Sequence, residues 1–156
     1  MKKRIWTIVL AVAVCLLFAA GIYAKVADVM KIDSPSCENT KGAVEFTHKL
    51  HSEDYVKKFP KLYPNGCGDC HHDDKGKPIA GLKADSKVQK CVECHKQCGE
   101  APKGKDAPKL DKKAKMAWIA EAFHENCLSC HRTFNKDMKP EKKAPVTCND
   151  CHPKQK

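Results

Sequence analysis

The chain has 156 residues, enough for one domain, with 11 cysteines, 8 histidines and 29 Lys+Arg against 19 Asp+Glu. Charged residues make up 31% and aromatics 6%, which excludes a large aliphatic core and calls for some other staple. The sequence has neither a phosphate-cradling glycine loop nor a nucleophile elbow, so a stand-alone α/β enzyme is not expected.

The first predicted element is an export signal. Met1 to Arg4 is a basic n-region, and Ile5 to Ala20 is an almost unbroken apolar run ending in small residues, with cleavage expected after Ala24. The uncharged run Ile5 to Ala24 also reaches the length of a spanning helix, so an uncleaved anchor is the alternative. Lipid attachment at Cys15 is disfavoured by Val14 before it and the apolar stretch after it. Either way the remainder, residues 25–156, is placed outside the cytoplasm. Three basic residues and Cys15 go with the leader, leaving 132 residues, ten cysteines and a charge of +7 from 26 basic and 19 acidic residues.

Along that remainder, Val29 to Ile32 and Ala43 to Phe46 flank a polar turn and are expected to pair as a small hairpin. His48 to Phe59 reads as a helix, followed by a turn-rich loop through Pro60, Pro64 and Asn65-Gly66. A shorter helix is expected over Ser86 to Lys96, N-capped by Asp85 or Ser86. A longer one spans Asp111 to Thr133, with Met116, Ile119, Ala120, Phe123 and Cys127 on one stripe. Trp118 and Phe123 are read as packing groups.

Four motifs carry the chemistry: Cys67-Gly-Asp-Cys70-His71, Cys91-Val-Glu-Cys94-His95, Cys127-Leu-Ser-Cys130-His131 and Cys148-Asn-Asp-Cys151-His152. Each is C-x-x-C-H, the attachment motif of a c-type haem. Two thiols at this spacing add to the two vinyl groups on one porphyrin edge, and the next residue sets an imidazole under the iron. Zinc ribbons also pair C-x-x-C motifs. Four-cysteine zinc sites, however, have no use for a histidine after every second cysteine, and an exported chain is a poor place to keep eight thiolates. A pure disulfide framework ignores the histidines too. The cofactors expected are therefore four covalently attached haem c groups.

Four histidines, His71, His95, His131 and His152, serve as proximal ligands in this reading, and four remain: His48, His51, His72 and His124. The equality points to a second imidazole on every iron, with Met30, Met116 and Met138 as substitutes only where a histidine fails. Full bis-histidine ligation leaves no open position, which favours electron transfer over substrate chemistry at iron. His124 and His131 lie about 10.5 Å apart along one helix, so they belong to different haems. His71 and His72 are adjacent and point in different directions, so His72 reaches a second haem.

The order Val44-x-Phe46-x-His48-x-x-His51, then C-x-x-C-His71-His72, then a histidine shortly before the third motif, resembles the tetrahaem class III cytochromes c, the cytochrome c3 type of sulfate reducers. The resemblance covers about residues 25–156. It implies a mostly α and irregular fold with a small N-terminal β-hairpin, packed around four haems. It also implies a ligand set: His48 with His71, His72 with His95, His51 with His131, and His124 with His152. Two departures stand out. All four motifs are short, as in the type II branch, and residues 52–66 are longer than in compact members.

Cys37 and Cys98 remain after the motifs take eight cysteines, and an even remainder in an oxidising compartment favours a disulfide. Lysines gather in two blocks, Lys103 to Lys115 and Lys136 to Lys156. Because each ferric haem with ionised propionates adds about −1, the holoprotein falls from +7 to about +3 oxidised and about −1 reduced, so the basic rim around the fourth motif matters more than the net charge. Such a rim steers docking on an acidic redox protein. The expected function is a periplasmic low-potential electron carrier, not an enzyme. The resemblance implies hydrogenase, formate dehydrogenase or a membrane redox complex as partners, and nucleic acid is excluded by compartment. The rival is a membrane-anchored tetrahaem quinol dehydrogenase feeding periplasmic reductases. Against it, 42 residues and two spare histidines lie between Ala24 and Cys67.

Overall fold

A computed structural model describes residues 27–34, 36–38 and 41–152. The expected export leader lies outside the described residues, as do Lys154 and Lys156. Strands β1 (Met30–Ile32) and β2 (Val44–Phe46) pair antiparallel as the sequence predicts, with Lys31 opposite Glu45 and Ile32 opposite Val44. Opposite charges and β-branched residues facing each other across the ladder stabilise such a pair. The chain then enters a helical run at His48, in which a π turn over Leu50–Asp54 leads straight into α1 (Tyr55–Lys58). Phe59 leaves the helical region at φ −131°, ψ 56°, because the ring of the following Pro60 disfavours helix at the residue before it. Short 3₁₀ turns follow over Pro60–Leu62 and Gly66–Asp69.

The predicted helix over Ser86 to Lys96 shrinks to one turn, α2 (Cys91–Cys94). Ser86 is not its cap. Its hydroxyl accepts from the Lys83 amide at 2.8 Å and its own amide donates to the Lys83 carbonyl, closing a local turn instead.

The predicted helix over Asp111 to Thr133 is two helices. Asp111 does cap α3 (Lys112–Lys115), its carboxylate accepting from the Ala114 amide at 2.7 Å, but Trp118 is extended and α4 runs over Ile119–Asp137. The break has a partner. Gln97 pairs with Trp118 in a parallel bridge: the Gln97 amide donates to the Ala117 carbonyl, and the Ile119 amide donates to the Gln97 carbonyl. The Ala120 amide donates to the Gly99 carbonyl. Residues 97–99 thus satisfy amides that the start of α4 would leave open. Met116 consequently falls off the stripe that Ile119, Phe123 and Cys127 share. The last element is α5 (Cys148–Cys151), opened by a capping box between Thr147 and Asp150.

Cys37 and Cys98 form a disulfide, with Cα atoms 5.4 Å apart across 61 residues of sequence. It ties the segment after β1 to the strand-like stretch that meets α4. The polypeptide has almost no interior of its own. Among the described residues the buried apolar side chains are Ala101 and Ile119, and the buried polar one is Ser34. Burying an aliphatic side chain contributes about 1.5–3 kcal/mol, whereas ordering each residue's backbone costs roughly 1–2 kcal/mol. Two fully buried side chains, one of them only an alanine, do not offset that cost by themselves.

Candidate haem centres

Each C-x-x-C-H motif is one helical turn, and that turn arranges the chemistry. Backbone bonds run from the histidine amide to the first cysteine's carbonyl at 2.9 Å for His71 to Cys67, 2.9 Å for His95 to Cys91 and 2.7 Å for His152 to Cys148. The third motif lies within α4. Thiols three residues apart share a helix face, and the imidazole one residue on emerges beside them. None of the eight motif cysteines, Cys67, Cys70, Cys91, Cys94, Cys127, Cys130, Cys148 and Cys151, is used in a disulfide. The first motif is shaped by its glycine. A Cβ on Gly68 would sit 2.9 Å from the Ile79 carbonyl oxygen and 3.1 Å from the Pro78 Cβ, because residues 71–79 fold back over it, with the Ile79 amide donating to the His71 carbonyl.

The eight histidine rings fall into four pairs, each joining one motif histidine to one of the others. Ring centres are 6.5 Å apart for His48 and His71, 5.9 Å for His72 and His95, 6.2 Å for His51 and His131, and 6.4 Å for His124 and His152. An iron bonded to two imidazole nitrogens at about 2.0 Å, with each ring centre about 1.1 Å beyond its nitrogen, separates the centres by about 6.2 Å. The residues present therefore fit a metal held between each pair. These are the pairs that the family resemblance implies, and they divide His71 from His72 and His124 from His131 as the local geometry requires.

The comparisons with known proteins point the same way. The family model of the class III cytochrome C family matches residues 24–152. The chain belongs to this family. It is 30% identical over 128 residues to a protein named cytochrome c3 from Desulfovibrio desulfuricans, a match covering 80% of this chain and 93% of that one. It is also 35% identical over 91 residues to the multiheme cytochrome MtrA of Shewanella baltica (strain OS185), covering 55% of this chain but only 23% of that longer protein. No solved structure matches the chain significantly. As a class III cytochrome c it is a multihaem electron-transport protein that binds haem c covalently.

In this cytochrome, backbone carbonyls aim the rings. Nδ1 donates to the Thr47 carbonyl from His51 at 2.9 Å, to Asp73 from His72 at 2.8 Å, to Pro145 from His131 at 2.7 Å and to Gly42 from His152 at 2.8 Å. His95 donates in the same way to the Met116 carbonyl. A carbonyl only accepts, so the proton sits on Nδ1 and the Nε2 lone pair is left for metal. The break between α3 and α4 thereby gains a role, since the Met116 carbonyl it frees is the His95 acceptor. Burial lowers the pKa values of both His51 and His71, with His131 and His48 adding repulsion at His51 and His48 and His72 at His71; the neutral imidazole, the ligating form, is favoured. Before haem attachment, desolvation pushes the Cys70 thiol up to about 11, and the Cys127 and Cys130 thiols add to it, although solvent still reaches the residue. Tyr63 is lifted to about 12 by burial and then by Cys130 and Cys70.

An aromatic ladder escaped the sequence reading. The Phe46 ring lies 4.6 Å from His51, which lies 5.2 Å from Tyr55; Tyr55 is 6.3 Å from Phe59, and Phe59 meets Phe134 of α4 at 5.0 Å. The four-residue spacing of His51, Tyr55 and Phe59 was the available signal. Of the methionines, Met138 is exposed at the end of α4 and Met30 lies in β1. In the basic block from Lys136 to Lys156 the described lysines, Lys136, Lys139, Lys142 and Lys143, are exposed.

Proposed function

We propose that this class III cytochrome is an exported, periplasmic tetrahaem electron carrier of low potential, and not an enzyme. The observation that carries the reading is the set of four histidine pairs, one per motif, each at a separation that fits an iron between the rings. Haem c, when bound, supplies one-electron exchange. The cysteines Cys67 and Cys70, Cys91 and Cys94, Cys127 and Cys130, and Cys148 and Cys151 hold one porphyrin each through thioether bonds. The pairs His48 and His71, His72 and His95, His51 and His131, and His124 and His152 would ligate the irons, with His51, His72, His95, His131 and His152 oriented by the carbonyls of Thr47, Asp73, Met116, Pro145 and Gly42 respectively. Two imidazoles on each iron would leave no position for substrate, and ligation by imidazole without methionine sulfur would keep the potentials low.

The near absence of a polypeptide interior supports the same reading, because the porphyrins supply the missing apolar surface. The partners are redox proteins with acidic docking faces, such as a hydrogenase, a formate dehydrogenase or a membrane redox complex. The test is a redox titration of purified protein followed by visible and near-infrared spectra. Four low-spin haems of low potential are expected. A high-spin signal, or a sulfur-to-iron charge-transfer band, overturns the ligand set. Release with the periplasmic fraction is expected, and a requirement for detergent overturns the soluble carrier.

A further inference from the structure

The His131 ring is oriented by a carbonyl that lies outside any helix or strand. Beyond α4 the chain reverses through Lys139, at φ 43°, and Pro140, and residues 144–146 run back beside the helix. A free-running segment of this kind has no ladder to hold it in register. One side chain replaces the ladder. The Asn135 Nδ2 donates to the Ala144 carbonyl at 2.9 Å, and the Ala144 amide donates to the Asn135 Oδ1 at 2.8 Å. Since a backbone amide only donates and a carbonyl only accepts, the orientation of the Asn135 amide group is fixed by these two bonds. The next residue is Pro145, whose carbonyl receives the His131 Nδ1 proton at 2.7 Å. Asn135 and His131 are one turn apart on α4, about 6 Å along the axis, so clamp and ring share a face of the same helix.

We propose that Asn135 is a positioning residue for the His131 imidazole: by clamping Ala144 from both sides it holds the Pro145 carbonyl where the ring must donate. The inference rests on the reading of His131 as an axial ligand. Donation from Nδ1–H to a carbonyl makes the ring a more basic ligand and fixes its plane, which favours the oxidised centre and lowers its potential. Loss of the clamp lets residues 144–146 drift, and the potential of the haem attached at Cys127 and Cys130 rises while the other three stay put.

The experiment compares the holoprotein with Asn135→Leu, which keeps the branched shape and heavy-atom count and removes both bonds, and with Thr133→Val. The latter removes a bond within α4, from the Thr133 hydroxyl to the Ser129 carbonyl at 3.0 Å, and leaves Pro145 alone. Individual potentials and the paramagnetically shifted His131 ring protons are followed by NMR through a redox titration. In Asn135→Leu the third haem's potential is expected to shift upward and the slowly exchanging Nδ1 proton signal to be lost, with Thr133→Val like wild type. Unchanged third-haem potential and Nδ1 proton in Asn135→Leu overturn the inference, as does an equal shift at all four haems. Unshifted His131 ring protons in the wild type would instead overturn the ligand reading beneath it. Should Asn135→Leu not fold, exchange in the wild type decides. The Ala144 amide and the His131 Nδ1 proton are expected to exchange through one common opening, and independent rates overturn the clamp.

Discussion

Removing the Cys37–Cys98 disulfide with the double variant Cys37→Ser/Cys98→Ser tests how the chain is stapled. Loop-closure entropy for the 61-residue separation is worth about 4 kcal/mol at 25 °C. Thioether links within single C-x-x-C-H motifs would not duplicate this restraint, since they would leave the long loop open in the denatured chain. Histidines re-binding to iron in the denatured state shorten that loop and reduce the gain, so a loss of about 2–4 kcal/mol is expected. Guanidinium unfolding of the oxidised holoprotein, followed by far-ultraviolet circular dichroism, measures it. The dependence on denaturant should steepen too, because the opened denatured chain exposes more surface. A local effect should accompany the global one. Cys98 lies between Gln97 and Gly99, whose backbone bonds cross the break before α4, so the Gln97 and Ile119 amides should exchange faster with solvent. A stability loss below about 1 kcal/mol, with those two amides still protected, would refute the staple.

His72→Ala should open one axial position on the haem attached at Cys91 and Cys94, seen as one high-spin centre in the ferric spectrum; a change at the Cys67 and Cys70 haem would contradict the 5.9 Å pairing with His95. Gly68→Ala drives a methyl to 2.9 Å from the Ile79 carbonyl oxygen, and a thermal melt should show a loss of about 1–3 kcal/mol, whereas wild-type stability would mean that the 71–79 loop yields freely. Reversing Lys139, Lys142 and Lys143 to Glu should slow reduction by an acidic partner without moving the potentials, since charges on exposed stems are screened within about 10 Å at 0.1 M salt. The wild-type rate should fall as ionic strength rises, and a flat stopped-flow profile would place electron entry elsewhere.

What the sequence determined alone is what depends on a few neighbouring residues. The four C-x-x-C-H turns need only their own five residues and one backbone bond each, so haem attachment is written locally. The hairpin of β1 and β2 is equally local, and helix geometry by itself assigns His124 and His131 to different centres. A low aromatic content and a surplus of cysteine already announced a chain without its own core. The sequence offered an even pair, Cys37 and Cys98, but only folding brings their Cα atoms to 5.4 Å. Which spare histidine faces which motif is likewise a tertiary fact, because His51 meets His131 and His124 meets His152 across separate segments. The long helix was misread for the same reason. Between Lys115 and Ile119 the residue preferences permit helix, but amides and carbonyls from residues 97–99 compete for that backbone and win. The break frees the Met116 carbonyl for His95, and no pattern within residues 111–133 records a partner 21 residues upstream. Nor does spacing alone reveal Asn135 holding Ala144, since that contact exists only after the chain has turned back at Lys139. Local helical geometry thus shapes the four C-x-x-C-H turns, while long-range hydrogen bonds to backbone carbonyls aim the imidazoles of His95, His131 and His152.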